Sequence, residues 1–451
     1  MSKARSLFFI VLSAAILFFD FYSDGLRAAG EYFSDPHQIT LESFILGRMA
    51  KSARDGIFSA GGLTGLVGPD AVPPDVQLPN YRFQPQAYLY SVPFQSYAAY
   101  QSQIGAQGIL FSALNAVVPL SPSDKLSLFH AIASLLTAIM LSLILFWFYR
   151  EFGLAAGVVA LAGTAFSQWL VVFAHSLWWS TWAFYLPMAV LMFYLDRPQT
   201  MTKFSALKFG AVVFAAVLVK CCFNGYEYIT TALVMMVVPF VYVCIRERTG
   251  LRLFLKGMAA AVAASILAIV GSMAMLCLQI STVEGGLLQG VNHIVFSFFA
   301  RTYANPQDYP AYAASLAANP IDVTASYFRG IYLDLDHYFR VPSDFITNFF
   351  LQTRYLYLVV LFAACAALLL FWLRKSAATA RQRALALAAA TGFALLAPLS
   401  WFIIFKAHSF IHTFMNNIVW QMPFTIYGFA LCGFFLQTAA LSKRKNRVAD
   451  S

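Results

Sequence analysis

Apolar residues in this chain run in long windows rather than alternating with polar ones, and the windows recur from residue 6 to residue 438. A helix of about 20 mostly apolar residues covers the hydrocarbon core of a bilayer. On that criterion ten spans are predicted, at roughly 6–26, 126–148, 154–173, 177–195, 206–223, 227–245, 258–280, 355–373, 384–405 and 417–438. The expected fold class is an all-α polytopic membrane protein. Two of the connections are long, about 27–125 and about 281–354. Segments of that length in a compact protein carry structure of their own, so both are expected to fold against each other over the membrane. The chain then divides into a tail and first span (1–26), a first outer loop with amphipathic helices (27–125), spans two to seven (126–280), a second outer loop (281–354), the last three spans (355–438) and a basic tail (439–451).

Composition agrees: 60% of residues are hydrophobic and 11% charged, less than half the roughly 25% usual in soluble domains. A net charge of +10 raises the question of nucleic acid, but position answers it. The termini and the turns after spans two, four, six and eight hold 18 of the 30 basic residues and only four of the 20 acids. Short basic connections mark the cytoplasmic face, so both termini are expected in the cytoplasm and both long loops outside it. There is no nucleic-acid signature. The six cysteines fall inside apolar windows without zinc or redox spacing, where they behave as small hydrophobes. The first span is read as an uncleaved anchor, with Asp20 and Asp24 near its outer end.

Function is therefore sought on the outer face. At about 100° per residue, Leu41, Ile45, Leu46, Met49 and Ala53 form one stripe of a helix, while Arg48, Lys51, Arg54 and Asp55 form the other face. Glu42 falls within the apolar stripe. A carboxylate there either caps the first turn or points into a partly dry site where its reactivity is tuned. Asp35 and His37 lie just upstream, immediately after the first span. Lys220 and Glu227 stand near the outer ends of consecutive spans; ionisable groups at such depth are functional candidates, each the other's expected partner. His130 and His175 are read as hydrogen-bonded packing residues, and Asp334-Leu335-Asp336-His337 as a solvated turn.

A short N-terminus, a first span, an early acidic residue, an amphipathic juxtamembrane helix and a long outer loop together resemble the GT-C glycosyltransferases. The segment from Glu42 to Ala50, ending at Asp55-Gly56, is similar in layout to that family's acidic residue, helix and Asp/Gly turn. Trp178-Trp179-Ser180-Thr181-Trp182 and Asn224-Gly225-Tyr226-Glu227-Tyr228 resemble phrases of the bacterial O-antigen-modifying, serotype-converting transferases in that class. The resemblance implies a bacterial inner-membrane enzyme that uses a polyprenyl-phosphate-linked sugar donor and a glycan or glycolipid acceptor outside the cytoplasm. The family pattern often has two adjacent acids, whereas Ser43 follows Glu42 here, so the base stays open between Glu42 and Asp35.

The chemistry accounts for those residue types. A carboxylate within reach of the acceptor hydroxyl removes its proton as it attacks the anomeric carbon, and the departing phosphate needs cations near the bilayer surface. Candidate substrate-binding residues are His37, Arg48, Lys220, Glu227, Arg301, Arg329, Lys406 and His408, with Arg340, Arg354 and His412 as further outer-face groups. No cofactor is required by this chemistry, and whether Asp35, His37 and Glu42 converge on a divalent cation stays open. Two other readings are kept: a polymerase or ligase of lipid-linked oligosaccharides, which would lean on outer-face arginines, and a lipid-linked sugar flippase or transporter, which would need polar residues in several span centres.

Overall fold

The computed structural model describes residues 3–34, 36–69, 79–197, 200–335, 351–374 and 377–449. Helix α1 spans Lys3–Ser23, and the first outer segment contributes α2 (Pro36–Asp55), α3 (Phe83–Leu89) and α4 (Ala106–Val117). Then come α5 (Pro122–Phe152), α6 (Leu154–Ala165), α7 (Gln168–His175), α8 (Thr181–Leu195), α9 (Ala206–Asn224), α10 (Ile229–Arg246) and α11 (Leu251–Glu284). The second outer segment contributes α12 (Leu287–Arg301) and two short helices, and the C-terminal quarter is again helical, ending in Phe424–Ala449. Among the described residues the strands are four short ones: β1 (Gly65–Gly68) pairs antiparallel with β2 (Ser96–Ala99), and β3 (Ile331–Asp334) with β4 (Gln352–Arg354).

The chain is a multi-pass helical membrane protein, but the expected ten spans are not all present as long helices. Among the described residues eight helices are long and apolar enough to cross, or nine if the bent pair α6/α7 is one span. The predicted span 154–173 is broken by a 70° bend between Ala165 and Gln168. The bend frees backbone groups, and one of them is recovered from outside the helix: the Tyr332 hydroxyl donates to the carbonyl of Gly163. The predicted span 177–195 is the 15-residue α8, only about 22 Å long against a core of about 30 Å. Even so, α8 returns the chain to the end of α5, where Arg150 and Asp196 pair at 2.6 Å.

That end of the bundle is tied by charge. Glu151 lies 3.2 Å from Arg246 and 3.5 Å from Arg383 and accepts a hydrogen bond from the Tyr242 hydroxyl. His130 is at the other end of α5, about 30 Å away for 20 helical residues, so the candidate chemistry and the basic cluster occupy opposite faces. Between them helices meet through small residues. A Cβ on Gly433 would lie 2.3 Å from the Ala155 carbonyl oxygen, so the final helix and α6 touch backbone to backbone, the small-residue packing typical of membrane helices.

Local chemistry sets the positions of the outer elements. Ser121 caps α5 by accepting from the Asp124 amide, with Pro122 in the first turn. The Gln84 side chain behaves as a strand neighbour to β1, accepting from Val67 N at 2.9 Å and donating to Val67 O at 2.7 Å. Gly47 lets α2 lie directly on β1, because any Cβ there would meet the Gly65 carbonyl at 2.2 Å.

Candidate functional site

Glu42 is held in the first third of α2 with little exposure, and its Oε1 lies 3.0 Å from His130 Nε2 on α5. The other ring nitrogen, Nδ1, donates to the His175 carbonyl at 3.0 Å. The His130 and His175 rings stack in parallel with centroids 4.2 Å apart. A carbonyl can only accept, so Nδ1 carries a proton; the hydrogen bond at Nε2 then requires a second proton shared between imidazole and carboxylate. Glu42 and His130 therefore act as one proton-holding pair. His130 was expected to be a packing residue; it is the direct partner of the leading catalytic candidate. Asp35 lies outside the described residues. His37 is the second residue of α2, and its side chain also lies outside the described ones, so the convergence of Asp35, His37 and Glu42 is not visible. Among the described residues there is no group of three or more His, Cys, Asp or Glu positioned to hold a metal ion.

The two aromatic phrases noted in the sequence pack on one another. The Asn224 side-chain amide donates to the Trp179 carbonyl, and the Trp179 and Tyr228 rings lie 5.9 Å apart. Each phrase contains a non-glycine residue in left-handed backbone, Ser180 at φ 41° and Tyr228 at φ 50°, which costs of order 1 kcal/mol or more and collects at functional sites. Gly225, at φ 55°, makes the turn between them tight enough to touch Gln103. From this junction Trp178 reaches both Phe44, two residues beyond Glu42, and Tyr100, with centroids 5.3 Å from each.

Tyr100 leads to the second charged group. Its phenol is close enough to Arg301, at the end of α12, to interact with it electrostatically, and Arg301 in turn lies 3.7 Å from Glu227, whose other oxygen is 3.7 Å from His408 Nε2. Both distances exceed a direct hydrogen bond, so Arg301 is attracted to Glu227 without being saturated by it. Burial raises the Glu227 carboxyl, yet the attraction of the neighbouring His408, Arg301 and His412 side chains outweighs burial and holds it below its ordinary value. Burial drives the His408 imidazole from 6.5 down to about 3. Burial also works against the Arg301 charge, but Glu227 and Tyr100 more than offset it and raise its pKa. At neutral pH Arg301 is the permanent cation of the trio.

Arg301 lines an apolar cleft of about 270 Å³ between α10, α11, α12 and the Leu396–Ile404 region. Leu233, Met273, Leu276, Ile294 and Phe298 supply its walls, and Ser102 and His293 lie among its few polar groups. Neighbouring side chains such as Val270, Val291 and Val295 are exposed, so apolar surface continues beyond the cleft.

Three expected substrate cations serve the fold instead. Arg48, placed on the polar face in the sequence reading, is fully buried and donates to the carbonyls of Gly56, Ile57, Ser59 and Leu63, tying the turn after α2. Lys220 does not pair with the Glu227 carboxylate; its ammonium donates to the carbonyls of Gly225 at 2.8 Å and Glu227 at 2.6 Å, clamping the α9–α10 turn. Lys406 donates to the carbonyls of Leu316 and Ala318 at 2.5 and 2.7 Å. Buried cations require such acceptors, and long-range carbonyl partners leave no local mark in a sequence. Arg329 and Asp334 line a separate polar cavity with Trp169; Arg340, Asp336 and His337 lie outside the described residues. Comparison with protein-family models, curated proteins and solved structures finds no match for this chain.

Proposed function

We propose that the chain is a GT-C-type integral-membrane glycosyltransferase of the bacterial inner membrane, moving a sugar from a polyprenyl-phosphate donor to an acceptor glycan or glycolipid on the periplasmic side. The observation that carries this reading is the apolar cleft with Arg301 in its lining. A lipid phosphate needs a wall that accepts its hydrocarbon and a cation at the headgroup, and Arg301 offers a planar fork of donors to phosphate oxygens. Phe44, Trp178 and Tyr100 form a chain of ring contacts from α2, the helix that carries Glu42, to the first outer segment beside that cleft.

In this reading Glu42 takes the proton of the acceptor hydroxyl as that oxygen attacks the anomeric carbon, and the bond to the phosphate oxygen breaks with its electrons passing to the phosphate. Arg301 stabilises the released charge. His130 orients the carboxylate through one of its oxygens. The basic end of the bundle, with Arg150, Arg246 and Arg383, faces the cytoplasm in this account.

Donor binding tests the reading. A radiolabelled polyprenyl phosphate binds the purified chain, and Arg301→Gln weakens it about tenfold or more, the scale of a lost charge-assisted contact, while Arg329→Gln leaves it unchanged. A polymerase or ligase is the second reading, favoured by Arg329 lining its own polar cavity; it predicts loss of product formation in both arginine variants and full activity in Glu42→Gln.

A further inference from the structure

The polar cavity at the opposite end of α7 from Glu42 is unused by the chemistry above. It encloses about 300 Å³ between the first outer segment, the start of α7, the β3 region and the segment around Phe414. Three aromatic rings form a wall: Trp169 lies 5.2 Å from Tyr32 and 6.0 Å from Phe414, tilted 50° and 40° to them. Against this wall stand two buried amides, Gln168 and Asn417, at 3% and 6% exposure. The Asn417 Oδ1 is buried without a hydrogen-bond partner among the described residues, although such atoms are satisfied in the great majority of cases. Gly330 keeps the space open, since a Cβ there would lie 2.5 Å from that same oxygen.

Resting on the transferase reading, we infer that this cavity is the acceptor subsite, holding an uncharged pyranose unit of the acceptor glycan away from the unit that is glycosylated. An aromatic wall accepts the apolar face of a sugar ring, and amides and carboxylates fit its ring of hydroxyls. Among the described lining residues Glu31 and Asp334 stand with Arg329 as the cation, two carboxylates to one guanidinium, a balance that disfavours phosphates and uronic acids. Helix α7 separates Gln168 from His175, whose carbonyl holds the His130 ring, by about 10 Å, the distance that a short oligosaccharide seated here would have to span.

Binding is measured by saturation-transfer NMR on the full chain in detergent, with methyl glycosides and disaccharides of glucose, galactose, mannose and rhamnose as probes and glucuronic acid as the charged control. At least one neutral saccharide binds, glucuronic acid does not, and Asp334→Asn and Asn417→Leu each weaken binding about tenfold while Lys203→Gln, at an exposed position far from the cavity, leaves it unchanged. Because Asn417 is buried, its variant is accepted only if its thermal melt matches the parent; Asp334→Asn at the cavity edge carries the test otherwise. Binding of no neutral saccharide, equal binding of glucuronic acid, or binding indifferent to Asp334→Asn overturns the inference. Saccharide binding without sugar transfer from any polyprenyl-phosphate donor keeps the subsite and removes the transferase reading. Transfer with an unchanged acceptor KM in Asp334→Asn does the reverse.

Discussion

Glu42 and His130 show how a polar pair is specified by contacts far apart in sequence. The helical stripe marked Glu42 as unusual because a carboxylate stood among Leu41, Ile45 and Met49; nothing local pointed to His130 on a helix starting 80 residues later. The Glu227, Arg301 and His408 cluster has a measurable acid signature. His408 in the folded protein titrates near 3 instead of 6.5 because burial disfavours its charged form. Between those values the unfolded chain binds a proton that the folded chain refuses, so stability rises with pH through this window. Glu227 acts in the same direction: its folded carboxyl is held below the ordinary value, and its stabilisation is lost as pH falls through that range. The melting temperature of the purified chain is therefore expected to drop on acidification from pH 6.5 to 4, and to drop less in His408→Asn. An identical pH dependence in that variant contradicts the assignment. Ionisable residues in apolar surroundings could be picked out as candidates from the sequence, but their partners could not. Arg48, Lys220 and Lys406 looked no different there from Arg301, because a carbonyl acceptor carries no residue identity.

At the scale of elements, α2 is positioned by what lies beneath it. Gly47 admits β1, and Arg48 gathers four carbonyls of the following turn. Arg48→Ala leaves those acceptors buried without donors, and a loss of about 3 kcal/mol follows from the cost of unsatisfied buried groups. Lysine does not rescue it, since a single ammonium cannot reproduce the planar fork. Thermal unfolding checks both variants, and a melting point equal to the parent's would show that the turn stands without Arg48. The amphipathic stripe located α2, yet it put Arg48 on the wrong face, because one buried guanidinium can be satisfied entirely by backbone. The long apolar helices were legible from hydropathy alone. The α6–α7 bend was not, since Gly163 and Ser167 are ordinary in an apolar window and the Tyr332 contact that completes the bend comes from 169 residues away.

Across the whole molecule, the basic cluster and the candidate site lie at opposite ends. The basic cluster around Glu151 and Arg150 ties one end of the bundle, and both cavities and the Glu42–His130 pair gather at the other. This separation follows from the distribution of Lys and Arg between short and long connections, which any reading of the chain can recover. In a variant lacking the six native cysteines, Lys203→Cys and Ser123→Cys place single thiols at exposed positions on the two faces. A membrane-impermeant maleimide added to the periplasm is expected to label Ser123→Cys and to spare Lys203→Cys until the inner membrane is opened. The opposite pattern inverts the orientation.

The most direct test of the central claim is sugar transfer in proteoliposomes from a labelled polyprenyl-phosphate sugar, comparing the parent chain with Glu42→Gln. Transfer by the parent is expected, with a rate at least about a hundredfold lower in the variant, as for removal of a general base, and with donor binding and melting temperature unchanged. Full transfer by Glu42→Gln would contradict it.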